Sequence, residues 1–434
     1  MTDAVKSKRW WQLIGCIAMM MAIANLQYAW TLFTVPLSEA MGVKLSDVQL
    51  AFTLFILFET WLVPFEGYLI DRFGVRSVVS VGALMVGAAW IGAGSVTTVT
   101  SLYVWYAIGG VGAGAVYGAC MGLALKWFPD HRGLAAGLTA GAYGFGTAIT
   151  VLPIQKMIAS SGYQSAFVVF GIVQGLIVLA VVQFSKPPPA DWKPAGWAPS
   201  AQVSASQSQV SYTPGQMVKS PVFYLMYAMM AMVAFGGLIV TAQLKPIARG
   251  FGLDKGVFLW GMSALSLALI LDRVLNGLTR PFWGWVSDHI GRCNAMAIAF
   301  AVQGGGLIAL TYLVDRPVWF VILTGFTFFS WGEIFSLFPA TIADVFGPKY
   351  ATTNYGIQYT SKGLASIFAG WGAAFIMQAY GSWTPVFWAA IVCDLLAAGL
   401  AFFALKPIVA ARLARGREEY ELAHPELAHA RHGR

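Results

Sequence analysis

The amino-acid sequence predicts an all-α membrane protein with twelve transmembrane helices in two pseudo-symmetric six-helix bundles. Three observations predict it. Of 434 residues, 58% are hydrophobic and only 11% charged, where soluble domains carry roughly 25% charged residues; mean hydropathy is +0.67. Apolar stretches recur, each long enough to cross a bilayer core of roughly 30 Å. Only a helix or a closed barrel satisfies its backbone there, and continuous apolar runs exclude a barrel, whose strands alternate. A short charged loop also occurs once in each half of the chain.

Spans are expected near 11–33, 48–70, 78–97, 101–126, 134–158, 165–184, 221–243, 257–286, 294–314, 318–342, 353–378 and 385–406. Lys6, Lys8 and Arg9 precede the first without a small-residue cleavage site, the pattern of an uncleaved first helix. GGVGAGAVYGACMG in the fourth span and GLAAGLTAGAYGFG in the fifth space small residues for close helix approach, static or sliding. GGVGAG is no nucleotide loop, since no strand precedes it and it lies inside a span. The stretch KPPPADWKPAGWAPSAQVSASQSQVSYTPGQMVKS, rich in Pro, Ser, Gln and Ala, is expected to be a mobile linker. The domains expected are therefore 1–184 and 221–406 (the two bundles), 185–220 (a cytoplasmic linker) and 407–434 (a polar cytoplasmic tail, expected to be disordered).

Lysine and arginine set the orientation. With the N-terminus inside, 18 of the 27 fall in cytoplasmic segments and 6 in external loops (Lys44, Lys156, Lys245, Arg249, Lys255, Arg316), while Arg273, Arg280 and Lys362 lie within spans. That bias places both termini in the cytoplasm of a cell inner (plasma) membrane. It also accounts for the net charge of +8 without a nucleic-acid partner. Cys16, Cys120, Cys293 and Cys393 are scattered, mostly in apolar spans, as thiols packed like small hydrophobes rather than a disulfide framework or zinc site. The five histidines lie in loops or the tail, leaving no buried histidine base and no paired histidines for a metal. No catalytic constellation and no G-x-x-x-x-G-K-[ST] is present. An enzyme, a cofactor and an ATP-driven pump are not expected.

The repeated loop reads GYLIDRFGVR at 67–76 and GWVSDHIGR at 284–292, with Asp71 and Asp288 separated by 217 residues and Gly74 and Gly291 by the same 217. Two such loops at equivalent places point to a duplicated bundle. This G-x-x-x-D-R/H-x-G pattern with a nearby arginine resembles the loop signature of the major facilitator superfamily. The resemblance covers roughly residues 10–406 and implies a rocker-switch transporter with its substrate held between the halves. Physically, an aspartate there can cap a helix N-terminus and pair with arginine across the cytoplasmic seam. Asp71, Arg72, Arg76, Asp288 and Arg292 are therefore expected to gate.

LQYAWTLF in the first span, KWFPDHRGLAAGLTAGAYGFG across the fourth and fifth, RPFWGWVSDHIGR after the eighth and NYGIQYTSKGLASIFAG in the eleventh resemble the oxalate/formate antiporter family in particular. In that family an arginine on helix 8 and a lysine on helix 11 bind the carboxylate. The resemblance thus implies Arg280 and Lys362 as substrate ligands, with aromatic cage positions at Tyr28, Trp30, Tyr117, Trp331 and Tyr359. It also implies a monomer.

Spacing agrees for the two cations. Arg280 precedes Asp288 by eight residues on an inward-running helix, and Lys362 follows Asn354 by eight on an outward-running one. Both then lie roughly 12 Å in from the cytoplasmic ends. Arginine offers a bidentate fork and lysine a point charge. Lys362 is expected to face a cavity with substrate as its partner; the alternative is a permanent pair with Glu59, Glu66, Asp272, Glu333 or Asp394. Arg273, seven residues before Arg280 on the same helix face, has either a salt bridge, with adjacent Asp272 a candidate, or a site role.

The acids depart from the family. Glu59 and Glu66 stand where the family has glutamines and glycines, Glu333 where it has glycine, and Phe335 where it has tyrosine. Fully ionised, the membrane groups would number three positive and five negative, disfavouring a dianion. Titrating acids within spans are a route to proton coupling, so Glu59, Glu333, Asp272 and Arg273 are coupling candidates. Glu66 is also read as capping or pairing with the loop arginines. The function expected is secondary active transport of small carboxylates by oxalate/formate-like exchange, in contact with the lipid bilayer and with H+ as a further candidate partner. The alternatives are a proton-coupled monocarboxylate symporter and an anion-sensing receptor.

Overall fold

The computed structural model describes residues 3–128, 130, 132–189, 208, 210–347 and 349–423; the side chains of 3–7, 71, 132, 133, 352, 417 and 419–423 fall outside the description. Within it the chain is helical, and the only bridge of β type is an isolated Leu259–Met262 pairing.

The first bundle comprises α1 (Asp3–Tyr28, resuming as Trp30–Met41), α2 (Leu45–Trp61 and Val63–Phe73), α3 (Val75–Ala93), α4 (Val99–Trp127), α5 (Arg132–Phe145 and the following helix as far as Gly162) and α6 (163–182). The second comprises α7 (Pro221–Gly250), α8 (Ala264–Ile290), α9 (Arg292–Leu313), α10 (Pro317–Trp331 and Ile334–Phe346), α11 (Ala351–Ile367, a π-helical turn Phe368–Gly372, Ala373–Tyr380) and α12 (Thr384–Gly399, a π-helical stretch Leu400–Leu405, Lys406–Ala423). Local chemistry sets the breaks. Pro64 stands at the start of the second part of α2, which bends by 48°, because proline removes a backbone donor and clashes with the preceding turn.

Among the described residues, nine stretches are long and apolar enough to cross a membrane unaided, and the bent α2 makes a tenth. One of the nine, Leu134–Val182, runs 49 residues, about 74 Å if straight and too long for one crossing. Gly162 breaks it at φ 83°, ψ 161°. On one side of the break Gln155 meets Ser266 of α8; on the other Gly171 and Gly175 meet Gly87 of α3. Splitting it there and adding α8, whose apolar run is broken by Asp272, Arg273 and Arg280, gives the twelve spans of the predicted fold.

The duplication extends to backbone angles. Gly74 (φ 80°, ψ 156°) and Gly291 (φ 87°, ψ 151°) form the same junction between α2 and α3 and between α8 and α9. Positive φ is a region side chains avoid, so glycine belongs at both. These glycines, not Asp71 or Asp288, occupy the N-cap positions, which corrects the capping expected of the aspartates.

Three further expectations are corrected. The eighth helix starts at Ala264 rather than near 257, because Gly256, Trp260 and Gly261 all take positive φ and Ser263 caps the helix. The linker's end is docked: Ser208 N–H donates to Asp344 O (2.8 Å), Tyr212 N–H to Phe346 O (2.8 Å) and Asn354 Nδ2 to Tyr212 O (3.1 Å). The start of the tail is helical, through Ala423, with the Arg412 guanidinium over the rings of Tyr212 and Phe346. Residues 190–207 and 424–434 lie outside the described residues.

The bundles meet along one seam, where α1 packs on α7, α2 on α11, and α5 on α8. On the face away from the Asp288 loop, side chains close it. Trp30 Nε1 donates to Gln49 Oε1 (2.8 Å), and Gln49 Nε2 to Ala242 O (2.8 Å) and Gln243 Oε1 (2.9 Å). Lys245 Nζ donates to Leu32 O (2.7 Å), and Arg249 pairs with Glu39 at 2.5 Å.

Candidate functional site

The buried charges converge where α8 and α11 face the first bundle. Arg280 lies ten residues before the end of α8, and Lys362 eleven after the start of α11, so both stand about 15 Å from their helix ends. They share one ring: the Arg280 guanidinium lies 4.8 Å and Lys362 Nζ 5.7 Å from the centroid of Phe335 on α10. Both are at most 2% exposed.

Lys362 is not free. Its ammonium donates to Glu59 Oε2 (2.8 Å), Gln27 Oε1 (2.9 Å) and Tyr359 OH (3.1 Å), and Tyr143 OH donates to Glu59 Oε1 (2.8 Å). The partner is thus a carboxylate on α2, the alternative weighed against substrate. Removing one member of a buried pair costs about 3–5 kcal/mol, since the other is left uncompensated. Arg280 Nη1 donates to Ala140 O on α5, while its Nε has no partner.

Arg273 differs from both. It is fully buried between the rings of Tyr28 (4.5 Å) and Phe328 (4.3 Å), and none of its three guanidinium nitrogens has a hydrogen-bond partner. The salt bridge considered for it is absent: among the described residues no carboxylate lies within 4.0 Å, adjacent Asp272 included. Burying a charge costs several kcal/mol, and a desolvated ring face offsets about 2.

A chain of aromatics joins these cations. Tyr28–Tyr143 (5.4 Å), Tyr143–Tyr117 (5.4 Å), Tyr117–Tyr359 (5.8 Å, stacked) and Tyr359–Phe335 (6.0 Å) run from α1 through α5 and α4 to α11 and α10, and Trp331 stands 5.3 Å from Phe335. Of the five cage positions, Tyr28, Tyr117, Trp331 and Tyr359 join this cluster. Trp30 does not; it bonds Gln49 and packs on Phe52 and Tyr106 in the seam network.

Among the described residues the other acids make no ion pair with Lys362 or Arg280. Glu333 and Asp272 are fully buried with neither carboxylate oxygen partnered, and Asp394 meets Gln303 Nε2 at 3.3 Å. Glu66, 4% exposed, has no partner among the described residues and packs against Gly114 of α4; the expected capping or arginine pairing is not formed.

The loop residues bond within their own halves. Arg292 pairs with Asp288 (2.7 Å) and Asp344 (3.2 Å), Arg76 Nε donates to Ser185 O (2.9 Å), and Arg72 Nη1 donates to Tyr68 OH (3.1 Å). Among the described residues no loop pair crosses the seam, contrary to the expected latch; the side chain of Asp71 lies outside the description.

Sequence reasoning passed over Tyr143, Gln27 and Asn276 as site residues. Tyr143 and Gln27 lie inside two of the stretches that carried the resemblance, and Asn276 follows Arg273 by three residues on one helix face.

Twelve spans in a duplicated bundle, meeting at a seam that buries unlike charges, define a membrane transporter. The chain belongs to the Major Facilitator Superfamily, whose model matches residues 15–278 and 247–431. It is 35% identical over 408 residues to the oxalate:formate antiporter of Oxalobacter formigenes, covering 92% of this chain and 91% of that protein. It is 26% identical to an uncharacterised MFS-type transporter, YhjX, of Escherichia coli (83% of this chain, 86% of that one). It is also 26% identical to a protein of Cupriavidus necator named as a probable sulfoacetate transporter (88% and 90%).

Proposed function

We propose that this protein exchanges small carboxylate anions across the plasma membrane by alternating access, in the manner of an oxalate/formate antiporter. The observation that carries the reading is the placement of Arg280 and Lys362 within 6 Å of one ring, Phe335, at one depth in the seam. A carboxylate between them accepts the arginine fork and displaces Lys362 from Glu59, exchanging one ion pair for another as the halves rock. The similarity to an oxalate:formate antiporter over most of both chains supports the substrate class. Both termini face the cytoplasm in this reading, bundles 1–184 and 221–406 move as the rocking units, the monomer is the working unit, and the loop arginines with Asp288 and Asp71 brace each half.

Glu59 favours a second reading, proton-coupled monocarboxylate symport. A carboxylate paired to the substrate lysine across the seam is placed to take up a proton when the lysine turns to substrate.

Thermal stabilisation of the purified protein by oxalate, formate, lactate, pyruvate, acetate and succinate at pH 5.5 and 7.5 tests both readings, because a ligand for the folded state raises stability by RT ln(1 + [L]/Kd). Exchange of the oxalate/formate type predicts a shift with oxalate that is lost in Arg280→Gln and Lys362→Gln. A shift with monocarboxylates alone, larger at pH 5.5, selects the symporter. No shift with any anion overturns both.

A further inference from the structure

Arg273 is a buried cation with no counter-charge in contact among the described residues. Its guanidinium is fully buried, its nitrogens have no acceptor among the described residues, and it lies against two aromatic rings, Tyr28 and Phe328. One turn along α8, the Asn276 side chain is also fully buried with neither amide atom hydrogen-bonded. Buried polar groups in folded proteins are bonded as a rule, and two neighbours that break the rule side by side mark a place where a ligand supplies the partners. Asn276 and Arg280 follow Arg273 at three and seven residues, so all three project from one face of α8.

The guanidinium itself calls for an anion. Glu59 already neutralises Lys362. Asp272 and Glu333 make no ion pair with either arginine among the described residues. The backbone positions of Arg273 and Arg280 are about 10.5 Å apart along the helix axis, and two guanidiniums leaving one face of α8 suit an anion charged at both ends. Arginine forks suit oxyanions such as carboxylates.

We infer that Arg273 and Asn276 form a second anion-binding position on α8, which holds the far end of a two-ended dianion whose near carboxylate sits on Arg280. The inference rests on the carboxylate-carrier reading and deepens it: Arg273 sets the preference for dianions over monoanions. Tyr28 and Phe328 hold the guanidinium in place before substrate arrives, so little side-chain freedom is lost on binding.

Calorimetric titration of the purified full chain with oxalate, malonate and succinate, and with formate and acetate, tests it. Arg273→Gln is expected to weaken every dianion at least tenfold and the monoanions less than twofold. Its unliganded Tm is expected to equal or exceed that of the wild type, because an uncompensated buried charge has gone. Asn276→Asp, which sets a negative charge beside the guanidinium, is expected to abolish dianion binding and spare formate, and it serves if Arg273→Gln does not fold. Equal losses for both classes, unchanged dianion affinity, or a lowered Tm with unchanged selectivity would overturn the inference. A wild-type protein that binds monoanions but no dianion overturns it alone; one that binds no anion overturns the carrier reading with it.

Discussion

Glu59 Oε2 lies 2.8 Å from Lys362 Nζ, each side chain is 1% exposed, and the pair joins α2 to α11 across the seam. The two halves are thus tied together at the residue that the substrate is proposed to meet. An anion has to compete with Glu59 for the ammonium, and that competition couples binding to separation of the helices.

Glu59→Gln should leave Lys362 with hydrogen bonds but no counter-charge. The expected outcome is an unliganded protein less stable by on the order of 3 kcal/mol, together with anion affinity raised about tenfold because the competitor is gone. Thermal unfolding and ligand titration read the two effects separately.

The double variant Glu59→Gln/Lys362→Gln removes both charges. Residues in direct contact show coupling of about 0.5–3 kcal/mol, so the double variant should be more stable than the two single losses add up to. Its unliganded Tm is expected to exceed that of Glu59→Gln, with carboxylate binding weakened. A strictly additive Tm loss would show that the pair is not energetically linked.

Tyr143→Phe deletes the hydroxyl that donates to Glu59 Oε1 (2.8 Å). A hydrogen bond to a charged group contributes about 1.5–3 kcal/mol. The variant should lose stability in that range and, with Glu59 less firmly held, bind carboxylate two- to fivefold more tightly; titration decides it.

The close approach of α10 to α8 depends on Gly332. A Cβ there would meet Thr279 Cγ2 at 2.1 Å and Asn276 Oδ1 at 2.7 Å, so Gly332→Ala must push α10 away from α8. Overpacking of this kind costs typically 1–3 kcal/mol. The variant is expected to fold with a lowered Tm and to transport at under a tenth of the wild-type rate, as measured in proteoliposomes.

Much of this was legible in the sequence, because its signals are local or repeated. Apolar length gives the spans, and the 217-residue repeat of Asp and Gly gives the duplication, which the matching angles at Gly74 and Gly291 reproduce. Arg280 and Lys362 could be placed at one depth from helix rise alone. What the sequence does not carry is which side chains meet across the seam. Glu59 and Lys362 are 303 residues apart, and five acids competed for the lysine on equal terms. The two tryptophans also read alike, yet Trp331 joins the aromatic chain and Trp30 bonds Gln49, a choice made by rotation of each helix about its axis. Arg273 misled by proximity: Asp272 is its chain neighbour, but successive helical residues point about 100° apart, and no salt bridge forms.

The most direct test of the exchange mechanism is counterflow of labelled oxalate into proteoliposomes. Exchange predicts rapid uptake only when unlabelled oxalate or formate is inside, and its loss in Arg280→Gln and in Lys362→Gln. Uptake into empty vesicles with external alkalinisation, or counterflow that persists in both variants, would contradict it.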